Sequence, residues 1–255
     1  MELLSKEQLI DKLDAIRKTG WIANARPGNV GGVGNTLEDL LGIIENNLPI
    51  PNAAEWELKC QRMGTSSLTT LFHMEPSPRA YKFVPKMLLP YYGWKHASIP
   101  GEMSFRQTLN GLSSTDRGFK VVVDRNARKV LISFNASAVD PRHSEWLKSV
   151  DERIGLGQLD PQPYWGFDDL FHKAATKLLN CFYVRAEVKR EHGREYFWYK
   201  EIIILQKFSL HNFLKAIEGA RVLVDFDART GHNHGTKFRL RQDSLPDLYD
   251  EATRI

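Results

Sequence analysis

Residues 51–59 read Pro51-Asn52-Ala53-Ala54-Glu55-Trp56-Glu57-Leu58-Lys59. From Glu55 onward charged and apolar side chains alternate. On a strand, that pattern sends Glu55, Glu57 and Lys59 to one face and Trp56 and Leu58 to the other, into a core. A carboxylate and a lysine at this spacing, behind a proline-led turn with a further oxygen ligand, can assemble a centre for phosphodiester hydrolysis. Oxygen ligands hold Mg2+ beside the phosphate, and the amine orients or deprotonates the attacking water. In that scheme Glu57 is the metal carboxylate, Asn52 a second ligand at the mouth of the strand, and Lys59 the water-activating amine. A solvated edge strand shows the same alternation, so the motif by itself fits both readings.

The arrangement is one residue away from the nuclease signature of Pro-Asp, a short gap, then Glu-x-Lys. Asn52 stands where that signature has an aspartate. An amide coordinates through its carbonyl oxygen but brings no charge to offset Mg2+. Three explanations compete. Asn52 inactivates the centre and leaves a DNA binder; or Glu55, on the same strand face as Glu57, supplies the missing charge; or Glu38 and Glu57 suffice. Glu38 falls one turn into a predicted helix, among Leu37, Leu40 and Leu41. It reads either as a first-turn acid favoured by the helix dipole or as an additional metal-site carboxylate.

Two other segments could meet a nucleic acid. The run His232-Asn233-His234-Gly235-Thr236-Lys237-Phe238-Arg239-Leu240-Arg241 gathers histidines and cations. Its histidines lack the cysteine or acid that would complete a zinc set. As a turn projecting into a DNA groove it offers His232, His234, Lys237, Arg239 and Arg241, since Arg and His donate to guanine N7 and O6. As a basic surface hairpin it offers nothing specific. The glycine-rich run Gly28-Asn29-Val30-Gly31-Gly32-Val33-Gly34-Asn35-Thr36 has Asn35 where a Walker loop needs lysine, and no strand precedes it. It reads as a backbone-exposed loop running into a helix N-terminus, suited to phosphates, with Asn29 and Asn35 as candidate DNA contacts.

The elements that must position these residues follow from periodicity. Helical spacing predicts helices over 5–18, 36–46, 167–180 and 208–218, the first capped by Ser5 and the second by Asn35 or Thr36. Alternation predicts strands over 55–60, 67–73, 221–227 and 237–240, and hairpins over 119–134 and 181–205. Residues 76–118 are the least regular and read as an insertion or a separate lobe. Helices and strands mix without regular alternation, which gives an α/β or α+β class around a mixed central sheet flanked by helices. At 255 residues the chain can bury a full core as one large domain or two small ones. The formal net charge of +4 and pI near 9.0 lean toward an anionic partner. The two cysteines, Cys60 and Cys181, lack paired spacing and fit a reducing cytosol. No signal peptide or membrane-length apolar stretch is seen, so a soluble cytoplasmic protein is expected.

The resemblance then becomes specific. The segment from Gly28-Asn29 through Thr36-Leu37-Glu38-Asp39-Leu40-Leu41, the spacing to Pro51-Asn52, and Glu57-Leu58-Lys59 followed by Ser67-Leu68-Thr69-Thr70-Leu71-Phe72 resemble the MvaI/BcnI family of Type II restriction endonucleases. The likeness returns at Tyr164-Trp165-Gly166-Phe167-Asp168-Asp169-Leu170, at Val224-Asp225, and at His232-x-His234-Gly235-Thr236-x-Phe238-Arg239. Residues 77–118 match nothing in that pattern.

The resemblance implies a MutH-like fold of the PD-(D/E)xK superfamily, one domain over 1–255 with a catalytic and a DNA-recognition lobe around a cleft. It implies Mg2+-dependent cutting of double-stranded DNA at short CC-N-GG-type sites by a monomer, in a prokaryotic cytoplasm. A cognate methyltransferase is expected genetically rather than as a stable complex. Glu38 matches the helix glutamate of the family's site, Glu57 the strand glutamate and Lys59 the lysine; Asn52 falls on its aspartate. The histidine turn and Arg239 match the base-reading segment. The alternatives are a catalytically silent DNA-binding protein of the same fold and, more remotely, a strand-nicking repair endonuclease related to MutH.

Overall fold

The computed structural model describes residues 4–29, 31–43, 56–241 and 243–255. Its helices are α1 (Lys6–Thr19), α2 (Gly32–Leu41), α3 (Leu89–Tyr92), α4 (Ser144–Ile154), α5 (Phe167–Leu178) and α6 (Leu210–Glu218). The strands are β1 (Ile22–Ala23), β2 (Trp56–Arg62), β3 (Thr69–His73), β4 (Trp94–Lys95), β5 (Met103–Leu109), β6 (Arg117–Asp124) and β7 (Lys129–Val139). They continue with β8 (Tyr164–Gly166), β9 (Asn180–Glu191), β10 (Arg194–Phe208), β11 (Val222–Arg229), β12 (His232–Leu240) and β13 (Tyr249–Arg254). The class is mixed α/β, with several sheets flanked by helices. Two compact units divide the chain: 1–69 with 174–209 and 242–255, and 70–173 with 210–241.

The first unit is built on the sheet order β1-β10-β9-β2, with β13 also pairing β10. β2 runs parallel to β9 while β10 is antiparallel to it. α1 starts on a capping box in which the Ser5 side chain accepts from Gln8 N and Gln8 reaches back to Ser5 N. Such a cap contributes about 1 kcal/mol. Leu9, Leu13 and Ile16 of α1 and Val33, Leu37 and Leu41 of α2 cover one sheet face. There they bury Trp56 and Leu58 of β2, Phe182, Val184 and Ala186 of β9, and Phe197, Tyr199, Ile202 and Ile204 of β10. Burial of each such large side chain is worth roughly 1.5–3 kcal/mol. Pleating then sends Glu57, Lys59 and Gln61 of β2, with Cys181, Tyr183 and Arg185 of β9, to the other face.

The second unit holds the sheets β3-β12-β11-β5-β4 and β6-β7-β8. Its core is aromatic: Phe105 packs edge-on against Phe119 and Phe226, while Phe238 stacks on Phe72 and meets Trp165 edge-on. Both the edge-to-face and the offset-stacked arrangements suit the ring quadrupoles.

Three expectations need correction. α2 begins at Gly32 on a Gly31 cap with no side-chain bond, because Thr36 Oγ1 instead accepts from Ala25 N at 3.1 Å and ties down the preceding loop. It ends at Leu41, where Gly42 takes φ +71° and its N–H returns to the Asp39 and Glu38 carbonyls; the expected continuation beyond 43 lies outside the described residues. Residues 76–118 are no detached insertion. β5 pairs with β11 in register from Val224↔Leu109 to Arg229↔Ser104 and buries Phe105 and Leu109. The histidine segment is a strand rather than a turn: β12 runs from His232 to Leu240, and the reversal falls at Thr230-Gly231, where Gly231 has φ +75°.

Candidate active site

Glu57 is 2% exposed, although the alternation of β2 fitted a solvated strand equally well. Its Oε1 lies 2.8 Å from Lys59 Nζ, two residues along the same face, and 3.6 Å from Lys177 Nζ. Its Oε2 is buried with no hydrogen-bond partner among the described residues. A buried carboxylate oxygen without a hydrogen bond is costly. A hard divalent cation, which takes carboxylate oxygens, fits that oxygen in chemical terms. Among the described residues no group of three His, Cys, Asp or Glu gathers around a common point.

Of the other carboxylate candidates, Glu38 sits half-buried on α2, toward β2, where its charge adds to burial in raising the Cys60 thiol. Cys60 packs with the helix-covered core. Glu38 therefore approaches the strand from the helix side while Glu57 leaves by the opposite face. Asn52 and Glu55 lie outside the described residues.

Sequence reading missed two neighbours of the pair. Lys177 stands in the last turn of α5, and the single residue Leu179 separates that helix from β9. Since Trp56 pairs with Asn180 and Glu57 with Cys181, this short connection delivers the helix end to the start of β2. Its only sequence signal was a last-turn cation, which any helix C-terminus favours. Gln61, 7% exposed, accepts a hydrogen bond at Oε1 from the Tyr183 hydroxyl, and its Nε2 has no partner among the described residues. Burial raises the Tyr183 hydroxyl well above the ordinary phenol range, so it stays the donor.

The candidate DNA contacts fall into two groups. On β11 and β12, Val224, Phe226, Phe238 and Leu240 face the core, and the intervening residues form a polar row. Arg239 Nη1 lies 3.3 Å from Asp225, which also accepts from Thr108 Oγ1 at 2.7 Å. Lys237 lies 3.7 Å from Asp227, which pairs with Arg106 at 2.8 Å. Arg239 and Lys237 are thus half-buried and braced by acids, while His232, Asn233 and His234 are exposed at the hairpin end. Glu75 steadies that end by accepting from Thr236 N at 2.9 Å and Thr236 Oγ1 at 3.1 Å. Arg241 Nε donates to the Ala220 carbonyl at 2.7 Å, a contact that ties β12 to the end of α6. Arg106 and Thr108 were missed because they lie in the stretch that sequence left unassigned.

In the first unit Asn29 is exposed, its Oδ1 accepting from Gly31 N at 2.8 Å. It lines an open groove of about 890 Å³ with Asn24, Arg62, Arg190, Arg194 and Glu195. Asn35 is half-buried in α2 beside Gly31 and Arg26, not in the loop.

The family model for the MvaI/BcnI restriction endonuclease family matches residues 10–249. The chain belongs to the MvaI/BcnI restriction endonuclease family. Among solved structures, this family member is similar to the complex of restriction endonuclease MvaI with its cognate DNA substrate. The identity is 26% over 98% of this chain and 99% of that one, with a TM-score of 0.76. It is also similar to restriction endonuclease MvaI in the absence of DNA, at 25% identity over 97% and 98% of the two chains and a TM-score of 0.57. A comparison with curated protein sequences finds no match. Membership makes the chain a restriction endonuclease by family. Among the described residues no helix is long and apolar enough to cross a membrane.

Proposed function

We propose that this chain is a Type II restriction-type endonuclease that hydrolyses phosphodiester bonds of double-stranded DNA at a short specific site, in the presence of Mg2+. The observation that carries the reading is the buried Glu57, with Lys59 at 2.8 Å on one oxygen and no hydrogen-bond partner among the described residues on the other. Family membership and the likeness to MvaI bound to cognate DNA support it. Glu57 would hold the cation, with Asn52 or Glu55 completing its shell, since Glu38 approaches β2 from the opposite face. Mg2+ there would supply Lewis acidity and offset the charge on the phosphate. Lys59, fixed by Glu57, orients the attacking water, and cleavage leaves a 3′-hydroxyl and a 5′-phosphate. We assign the chemistry to the first unit and base reading to the polar row and histidine end of β12 in the second. A monomer acting at a CC-N-GG-like site in a prokaryotic cytoplasm, beside a cognate methyltransferase, completes the proposal. Unmethylated phage DNA incubated with the protein and Mg2+ tests it: discrete fragments support it, and intact DNA across diverse substrates rejects it.

A second reading rests on Asn52, the amide where the signature has an acid. In it the chain binds DNA specifically without cutting. Asn52→Asp decides between them, since cleavage gained only in the variant makes the parent a binder.

A further inference from the structure

Two ammonium groups share one oxygen of Glu57, and one of them is in excess. Lys59 at 2.8 Å satisfies Oε1 by a direct charge-assisted hydrogen bond. Lys177 at 3.6 Å is within ion-pair reach but beyond a good hydrogen bond. At that distance its N–H donors can turn to another acceptor. The two lysines also differ in exposure: the Lys59 side chain is 17% exposed and the Lys177 side chain 33%. Lys177 is the cation on the solvent side of the carboxylate. Its position is fixed from both ends, by α5 before it and, one residue beyond the helix, by β9 paired along β2.

We propose that Lys177 is a catalytic residue of this nuclease, donating from its ammonium to a non-bridging oxygen of the scissile phosphate. The assignment rests on the nuclease reading above. Lys59 is committed to Glu57 and to the water, which leaves the charge that builds on the phosphate oxygens for Lys177. A preorganised cation at that position acts on the transition state more than on bound DNA. The competing role is purely structural, a last-turn lysine that answers the helix dipole and helps neutralise a buried acid.

The test compares the parent with Lys177→Met and Lys177→Arg in single-turnover cleavage of a duplex carrying the mapped cut site. Binding to the same duplex is measured with Ca2+ in place of Mg2+. The account expects cleavage by Lys177→Met to fall on the order of 10²-fold while affinity changes by less than about threefold. Lys177→Arg should recover part of the rate. A duplex with a stereodefined phosphorothioate at the scissile position supplies a readout that a structural role would not move. In one diastereomer the parent should be slowed, and Lys177→Met should lose that sensitivity, because the two changes remove the same contact. A Lys177→Met enzyme that cuts within about threefold of the parent, or whose loss simply adds to the sulfur effect, overturns the assignment alone. A parent that leaves all DNA intact overturns the nuclease reading and this assignment with it.

Discussion

Lys59 Nζ and Glu57 Oε1 meet at 2.8 Å on one face of β2, and the other oxygen of Glu57 is buried with no hydrogen-bond partner among the described residues. The pair is preorganised: a strand whose Trp56 and Leu58 are locked in the core cannot slide, and a slip of one residue would turn both polar side chains to the helix side.

Lys59→Ala should abolish cleavage while leaving DNA affinity nearly unchanged. Lys59 serves the water rather than the grip on DNA, and roles of this kind are worth about 10²–10⁴ in rate. Single-turnover cleavage and gel-shift binding measure the two separately. Weak binding with normal turnover on bound DNA would contradict the assignment.

Gln61 and Tyr183 form a buried couple whose energetics should be non-additive. Tyr183→Phe removes the donor to Gln61 Oε1 and strands a buried acceptor, at a cost of about 1–3 kcal/mol. Gln61→Met together with Tyr183→Phe removes both polar partners and should lie much closer to the parent than the sum of the single changes. Urea melts of the four proteins check this, and strict additivity would deny the coupling.

Arg239→Ala should weaken specific binding more than nonspecific binding. Asp225 and Thr108 hold the neighbourhood of its guanidinium in place, as directed base reading requires. A bidentate contact with guanine is worth about 1–3 kcal/mol of discrimination. Binding to cognate and scrambled duplexes at two salt concentrations is the check; equal losses on both would make Arg239 a backbone contact.

Asp116 links stability to acid pH. Burial works to raise its carboxyl, but the hydrogen bond with His143 and the charges of Arg117, His143 and Arg142 outweigh it and hold the carboxyl below its ordinary 3.8. A lowered pKa in the folded state gives stability that is present above the unfolded value and lost as pH falls through the folded one. Asp116→Asn should therefore lower the Tm at neutral pH and converge with the parent as the pH falls through the lowered folded-state value. A Tm gap that persists unchanged into acid would contradict this.

The parts legible in sequence are those set by local pattern. Ser5 caps α1 through Gln8 as its spacing predicts, Trp56 and Leu58 point into the core, and the hairpin joined at His192-Gly193 pairs as expected. Long-range pairing decided the rest. Glu57 is buried rather than solvated because other parts of the chain cover the second face of β2, which alternation cannot reveal. Lys177 reaches Glu57 only because β9 lies parallel to β2. β5 carries the mixed run Met103–Leu109, whose Phe105 and Leu109 acquire meaning only once β11 lies beside them. The end of β12 over 237–240 was legible from alternation, but its start at 232–236 was hidden because His232, Asn233 and His234 are polar and exposed, the usual mark of a turn.

The central claim is that Glu57 and its lysine form the centre that cuts DNA. Glu57→Gln keeps the shape of the side chain and removes its charge, so it tests that claim most directly. Parent and variant are incubated with unmethylated phage DNA over a Mg2+ titration, with binding followed in Ca2+. The account predicts discrete fragments from the parent, none from the variant at any Mg2+ concentration, and retained DNA binding by both. A Glu57→Gln protein that cuts at the parent's rate would contradict it.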